Sequence, residues 1–259
     1  MKTIIVTGAA GGIGSEIVKL LSRQSYTTIA TDLDIKALEK LKSLENVIIE
    51  KLDVSDGKQW NALLEKYKGN LYGLINSVGV LKPGYIYDVT AEDINLHIDI
   101  NVKGVMLGSS LVSRILKTKK SGHIINIASM AGIAAIPGIA LYSASKFAVR
   151  GFTLALAAEM KPFSVLVTSV CPDAVKTPML DLQADYEEAA LTFSGDEPLS
   201  AETVAKEIVA NLGKENLELV FPTWRGMLAK LSSAMPDLSS MLVERLTEQG
   251  LHNQQKYSK

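Results

Sequence analysis

Short apolar runs recur along the chain and alternate with longer stretches in which apolar residues return every three or four positions. The runs are rich in Ile and Val and are continuous, which is typical of strands buried on both faces of a parallel sheet. The longer stretches have the period of amphipathic helices. This pattern predicts strands at 4–6, 27–30, 47–49, 74–75, 124–127, 165–167 and 219–221.

Apolar stripes mark the helices between these strands. One stripe contains Ala37, Leu38, Leu41 and Leu44, and another contains Trp60, Leu63, Leu64 and Tyr67. Thr90, with Asp93 three residues later, predicts a helix start with a capping pair. Strands that alternate with helices indicate an α/β fold, so we expect a doubly wound, parallel seven-stranded Rossmann-type sheet in a three-layer sandwich.

One domain accounts for residues 1–221, since no linker, low-complexity tract or internal repeat interrupts them. Residues from about 178 to 199 are expected to form a loop with short helices that covers the substrate. Residues 222–259 form an extension, in which Pro236 should divide the apolar run into two helices. The apolar residues of this run are Leu228, Leu231, Met235, Leu238 and Leu242.

The apolar extension has three possible roles: to roof the pocket, to join a partner subunit or to lie on a membrane. Its excess of positive charge is small, whereas binding to anionic lipid usually needs a richer basic face. We therefore favour packing on the domain or on a partner over the membrane surface.

Composition excludes several classes of protein. The chain has 259 residues, of which 47% are hydrophobic and 21% charged, and its net charge is −1. Without a long basic run, nucleic acid is not expected as a partner. A single cysteine, Cys171, rules out an internal disulfide or a thiolate zinc cluster, and the three histidines lack metal-ligand spacing, so no metal is expected. No apolar signal segment precedes the first strand, so the expected location is the cytoplasm.

A glycine-rich turn follows the first predicted strand and opens a helix. It reads Thr7-Gly8-Ala9-Ala10-Gly11-Gly12-Ile13-Gly14, which differs from the common G-x-G-x-x-G spacing. Glycine lets the backbone turn tightly and approach a ligand, and the first N–H groups of a helix point outward at the positive end of its dipole. The turn therefore predicts an anion site that suits a pyrophosphate.

Asp32 ends the second predicted strand, near where a carboxylate can accept hydrogen bonds from the adenosine ribose. Its alternative role is to cap the next helix, for which Asp34 is the better candidate. A 2′-phosphate would be repelled by Asp32 and would require a nearby cation, and Lys36 is the only one expected there. The pattern favours NAD over NADP.

Tyr142 and Lys146 lie four residues apart on a predicted helix and so project from one face. A cation within about 4–6 Å favours the phenolate, so we expect Lys146 to lower the pKa of Tyr142 and make it a general acid/base. Ser129 follows the strand at 124–127, at the edge where ligands bind in open α/β sheets. Its hydroxyl can bind a substrate oxygen, or it can satisfy a nearby backbone group.

The turn Thr7-Gly8-x-x-x-Gly12-x-Gly14, together with Ser129, Tyr142 and Lys146, resembles the short-chain dehydrogenase/reductase family over about residues 2–221. The resemblance implies an NAD-dependent oxidoreductase that interconverts a secondary alcohol and a ketone and assembles as a homodimer or homotetramer. Apolar residues around the expected site favour a hydrophobic substrate such as a steroid, a retinoid or another lipid. The competing interpretation is a non-catalytic dinucleotide-binding sensor or scaffold on the same fold.

The resemblance also implies roles for individual residues. Tyr142 takes the substrate proton, Ser129 fixes the substrate oxygen, and Lys146 additionally holds the nicotinamide ribose. Asn101 matches a family asparagine that holds a water behind the lysine. For Asp53, contact with the adenine and a helix cap are equally open. The implied cofactor contacts are Gly8, Gly12, Ile13, Gly14, Asp32, Asp53, Val54, Asn76, Gly79, Tyr142, Lys146, Pro172, Val175 and Thr177.

The chain departs from the family pattern in two places. Ser77 and Val78 stand where the family usually has Asn and Ala, and Asp173 follows Pro172 where the family commonly has glycine. Asp173 either faces solvent or helps to set the choice of substrate, and we favour solvent because an unpaired buried carboxylate is costly.

Overall fold

All seven predicted strands form, and they pair in one parallel sheet. The computed structural model describes residues 1–195 and 197–257, apart from the side chains at 238 and 239. In chain order the strands are β1 (Lys2–Thr7), β2 (Tyr26–Asp32), β3 (Val47–Lys51), β4 (Leu71–Asn76), β5 (Gly122–Ile127), β6 (Val165–Pro172), β7 (Val175–Lys176), β8 (Leu199–Ser200) and β9 (Glu218–Phe221). The order across the sheet is β3-β2-β1-β4-β5-β6-β9, and β7 and β8, which the sequence did not predict, pair separately.

Helices connect the strands and cover both faces of the sheet. They are α1 (Gly12–Leu21), α2 (Ile35–Leu38), α3 (Gly57–Tyr67), α4 (Ala91–His97), α5 (Val105–Lys119), α6 (Ala140–Met160), α7 (Pro178–Asp181), α8 (Ala201–Ala210), α9 (Thr223–Ala234) and α10 (Pro236–Tyr257). A π-helical segment, Ile98–Gly104, joins α4 to α5, and a 3₁₀ segment, Glu187–Phe193, lies in the lid. The expected capping box of Thr90 and Asp93 is present at α4, and Asp34 caps α2.

Successive strand residues enter opposite halves of the core. Ile4 packs with α1 and α8 on one face, whereas Ile5 packs with Trp60 of α3 and with α5 on the other. This is the two-residue period of a strand with both faces buried, and it explains why the strands read as continuous apolar runs. The doubly wound three-layer fold is confirmed.

The C-terminal extension packs on the lid. Pro236 divides it into α9 and α10, as predicted. Gly250 in α10 lies so close to the lid that an added Cβ would stand 2.0 Å from the carbonyl oxygen of Ala190. The side chain of Leu238 and residues 258 and 259 lie outside the part that the structure describes. Across residues 1–195 and 197–257, no helix combines the length and apolar character needed to cross a membrane.

Candidate active site

The glycine turn connects β1 to α1 through close backbone contacts. Gly8 has a φ of +64°, and an added Cβ there would stand 2.7 Å from the backbone of Val78. An added Cβ on Gly14 would stand only 2.2 Å from the carbonyl oxygen of Gly8. The N-cap of α1 is Gly11, which has no side chain to bind the N–H groups of the first turn. The cradle therefore fits a phosphate group, since only glycines can line it this closely and the helix N-terminus opens toward it.

Asp32 lies beside this turn. One oxygen of its carboxylate accepts a hydrogen bond from the Ala10 amide at 3.1 Å, and the other accepts from Asp34 N at 3.2 Å. A second cation, Lys40, also lies beside the turn, because its Nζ donates to the carbonyl oxygen of Ala10 at 3.1 Å. The expectation that Lys36 is the only cation at this end of the site is thus wrong, because Lys40, four residues later, also contacts the glycine turn.

Three residues that are expected to contact the cofactor have side chains that bond to, or pack against, other residues of the protein. Asn76 is fully buried and bonds to Thr7, Ser109 and Asn126 at 3.2, 3.2 and 2.8 Å. Asp53 Oδ1 accepts from the amide and hydroxyl of Ser55, at 2.9 and 2.7 Å. Val54 is in the hydrophobic core. Any contact of Asn76 or Val54 with a dinucleotide would therefore involve the backbone. Asp56, not Asp53, caps α3.

Ser129, Tyr142 and Lys146 come together at the carboxyl edge of the sheet. Lys146 Nζ lies 5.5 Å from the centroid of the Tyr142 ring and donates to the Ile127 carbonyl at 2.9 Å. A hydrogen bond from Ser129 reaches the Tyr142 phenol, and Ser129 Oγ also accepts from Ala131 N at 3.1 Å. Of the two roles expected for Ser129, the structure thus shows the bond to a backbone group, and binding of a substrate oxygen stays a prediction.

Asn101 sits in the π-helical segment, a form of backbone frequent at functional sites. Its side chain is buried and clamps Val80, donating to the carbonyl at 2.9 Å and accepting from the amide at 2.8 Å. It also donates to Ser145 Oγ of α6 at 3.0 Å. An added Cβ on Gly79 would lie 3.5 Å from Lys146 Nζ and 3.6 Å from Asn101 Oδ1, so both groups border Gly79.

The pKa values of the pair differ from the expectation. Burial raises the pKa of Tyr142 to about 12, with the Ser129 hydrogen bond opposing it, and burial lowers the pKa of Lys146 to about 8. The predicted lowering of the Tyr142 pKa by Lys146 is therefore wrong for the protein by itself. Loss of hydration around the buried phenol is the largest cause of its raised pKa, and the neighbouring ammonium of Lys146 is itself desolvated.

The segment after β6 borders the same site. The side chain of Thr177 packs on Gly12, where an added Cβ would be 2.4 Å from Thr177 Cγ2. The expectation that Asp173 faces solvent is wrong, because its side chain is only 20% exposed and pairs with Arg225. The distance from Asp173 Oδ2 to Arg225 Nε is 2.5 Å. Arg225 was not among the predicted site residues, although it follows β9 at the carboxyl edge, where ligands of such sheets bind.

A cavity of about 500 Å³ joins these groups. Ile13, Thr177 and the Tyr142–Lys146 pair line its inner part, and α9 and α10 line its mouth. Among the described residues that line it, the charged ones are Lys146, Asp173 and Arg225. Half-exposed leucines border the mouth, namely Leu228, Leu231 and Leu242. The cavity therefore suits an apolar molecule with one polar group directed inward.

The fold and the site define a class: an open parallel sheet with a glycine turn before its first helix is a Rossmann-type dinucleotide-binding architecture. Residues 2–188 match the family model described as short chain dehydrogenase. The chain belongs to this family of oxidoreductases.

Three similar proteins illustrate the relationship. A 3-alpha-(or 20-beta)-hydroxysteroid dehydrogenase of Mycobacterium tuberculosis is 34% identical over 185 residues, which are 70% of this chain and 71% of the relative. The closed form of a serine dehydrogenase complexed with NADP+ is 28% identical, with a TM-score of 0.76, over 85% of this chain and 94% of that one. A short-chain dehydrogenase/reductase from Burkholderia phymatum in complex with NAD has a TM-score of 0.82 at 23% identity, over 92% of this chain and 95% of that one, a likeness of fold alone.

Proposed function

We propose that the protein is an NAD(H)-dependent oxidoreductase that interconverts a hydrophobic secondary alcohol and its ketone. The observation that carries the proposal is the meeting of Ser129, Tyr142 and Lys146 at the inner end of an apolar cavity that also reaches Ile13 of the glycine turn. A phenol, an ammonium and a hydroxyl in one pocket beside a phosphate cradle suit proton transfer coupled to hydride transfer.

The residues that would hold the dinucleotide are those of the glycine turn, with Asp32 at the adenosine ribose and Lys146 at the nicotinamide ribose. In its oxidised form, the dinucleotide supplies the hydride acceptor and a positive charge near the phenol. NAD is proposed over NADP because the Asp32 carboxylate would repel a 2′-phosphate. Lys40 at this end would favour NADP, but its ammonium already contacts the Ala10 carbonyl.

In the oxidation direction, Ser129 Oγ orients the substrate oxygen and the Tyr142 phenolate oxygen takes the hydroxyl proton. Burial opposes the phenolate in the protein by itself, so the positive charge of the oxidised dinucleotide is proposed to act together with Lys146, whose Nζ is held in place by the Ile127 carbonyl. Asn101 is proposed to hold a water behind Lys146, and the proton would pass through this water to solvent. In the reduction direction, the same phenol returns the proton to the carbonyl oxygen.

The substrate is proposed to be hydrophobic because the mouth of the cavity is built from half-exposed leucines of α9 and α10. Apolar side chains exposed around a pocket become buried when an apolar ligand binds, at about 25 cal/mol for each Å² removed from water. The mycobacterial relative is named as a hydroxysteroid dehydrogenase, and hydroxysteroids have this chemical character.

Replacement of Tyr142 by Phe tests the proposal. A panel of secondary alcohols and ketones of increasing apolar size, followed by the absorbance of reduced nicotinamide, should identify a substrate. Tyr142→Phe should then lower kcat by about 10²–10⁴-fold and leave NADH binding nearly intact, because it removes only the proton-transferring oxygen. Tyr87→Phe, at a tyrosine that is 78% exposed, is the matched control.

Two outcomes contradict the proposal. Turnover that survives in Tyr142→Phe would show that another group moves the proton. A protein that binds NADH but converts none of the panel would favour the sensor or scaffold.

Three further assignments belong to the same proposal. Residues 1–221 form the catalytic domain, and residues 222–259 form an extension that roofs its lid. A homodimer or homotetramer is proposed, which analytical ultracentrifugation would test. The cytoplasm is the proposed location, which cell fractionation would test.

A further inference from the structure

We propose that Arg225 is a positioning residue that holds Asp173 and the segment between β6 and β7, so that α9 sets how firmly the protein binds its dinucleotide. The inference rests on the proposed function, because it takes Pro172, immediately before Asp173, and Val175, two residues after it, as nicotinamide contacts. All four of these residues line the central cavity.

Asp173 is attached to the start of the extension by its backbone and by its side chain. Its amide donates to the carbonyl of Phe221, the last residue of β9, at 2.8 Å. Its Oδ2 lies 2.5 Å from Nε of Arg225 in the first turn of α9. A residue fixed at both points cannot shift without moving the β9–α9 junction, so the position of α9 is transmitted to the segment that follows β6.

Arg225 is itself held against the end of the lid. An added Cβ on Gly195 would stand 2.9 Å from Arg225 Cζ, so the guanidinium lies directly against the backbone at the end of the lid. The same glycine is fixed by α10, because Asn253 donates to the carbonyl of Gly195 at 3.2 Å. One guanidinium thus contacts the segment after β6 and the end of the lid, both of which border the proposed reaction site.

A second ion pair that involves α9 lacks this connection to the segment after β6 and provides a matched control. Lys230 of α9 pairs with Glu218 at 2.5 Å, but its side chain is 49% exposed, and Glu218 keeps a second partner in Arg150 at 2.6 Å. The side chains of Arg225 and Asp173 are only 23% and 20% exposed. Removing one partner of a largely buried pair leaves an uncompensated charge, whereas Glu218, whose side chain is 12% exposed, still has Arg150 as a partner when Lys230 is replaced.

A double-mutant cycle on NADH binding tests the proposal. The dissociation constant of NADH, measured by fluorescence titration of the full chain, should rise about tenfold in Arg225→Gln and in Asp173→Asn. The double variant should bind NADH no more weakly than either single variant, because both changes break the same contact. Lys230→Gln should bind like the wild type. With an alcohol substrate, the KM for NAD should rise in the Arg225 and Asp173 variants while kcat at saturating NAD is retained.

Several results would overturn the proposal. Equal dissociation constants in Arg225→Gln and Lys230→Gln would show that the pair only anchors the helix, and additive losses in the double variant would show that the two residues act separately. If Arg225→Gln does not fold, Arg225→Lys, which keeps the charge, should bind NADH between wild type and Asp173→Asn; wild-type binding in both variants would refute the role. These titrations need no turnover, so failure of the proposed reaction is detected separately by the substrate panel.

Discussion

Buried His123 is predicted to make the fold less stable as the pH falls. It is fully buried in β5, where Nδ1 accepts a hydrogen bond from the amide of Gly213 at 3.1 Å and Nε2 lies 2.9 Å from Thr168 Oγ1. The amide can only donate, so Nδ1 carries no proton, and Nε2 donates to Thr168, whose hydroxyl donates to the Asn216 carbonyl. A second proton would face the Gly213 amide in a desolvated site. Burial accordingly lowers the pKa of His123 from 6.5 to about 4.

The sign of the effect follows from proton linkage. The unfolded chain protonates this histidine near pH 6.5, whereas the folded protein resists protonation until about pH 4. The unfolded state therefore binds more protons within this window, and the free energy of unfolding falls as the pH falls through it. At about 1.4 kcal/mol per pH unit, the loss between pH 7.5 and pH 4.5 is about 2.5 kcal/mol.

Urea unfolding followed by circular dichroism, at pH 7.5, 6.0 and 4.5 and at one protein concentration, measures this loss. His123→Gln keeps a donor and an acceptor but does not titrate in this range. Carboxylates such as Asp93, whose pKa is lowered by its hydrogen bond from Lys82, contribute equally to both proteins. The wild type should therefore lose about 2.5 kcal/mol more than the variant, and parallel curves would refute the reasoning.

Two further changes test the lid and the choice of cofactor. Gly250→Ala places a Cβ 2.0 Å from the Ala190 carbonyl oxygen, so it should push α10 away from the lid. The KM for a hydrophobic alcohol should then rise, with little effect on NADH affinity. An unchanged KM would contradict this. Gly151→Ala in α6, where an added Cβ meets nothing within 4 Å, is the control. Asp32→Asn removes the charge that repels a 2′-phosphate and should reduce the preference for NAD over NADP by about tenfold in kcat/KM, whereas a wild type that prefers NADPH would refute the role of Asp32.

Much of the fold could be predicted from the sequence, because it depends on interactions between residues that are close along the chain. Continuous runs such as 124–127 predict strands buried on both faces, and Ile4 and Ile5 do enter opposite halves of the core. Thr90 and Asp93 form the predicted capping box, and Pro236 ends α9. These features depend on residues within one or two turns of each other, for which spacing along the chain is spacing in the structure.

Local rules also indicated the position of the candidate site, but not its internal contacts. The four-residue spacing places Tyr142 and Lys146 on one helix face, and the glycine turn places an anion cradle at the edge of β1. The partner of Asp173 was not readable, because Arg225 is 52 residues further along the chain and only the packing of α9 brings the two together. Lys40 likewise reaches Ala10 across 30 residues.

The sequence by itself determined the order of strands and helices and the kinds of side chain at the carboxyl edge of the sheet, since periodicity and residue chemistry are carried by neighbours. Only the tertiary structure decided which charges are paired and which are desolvated. The raised pKa of Tyr142 shows the difference, because the electrostatic energy of a charge depends on everything packed around it and not on the residue four positions away.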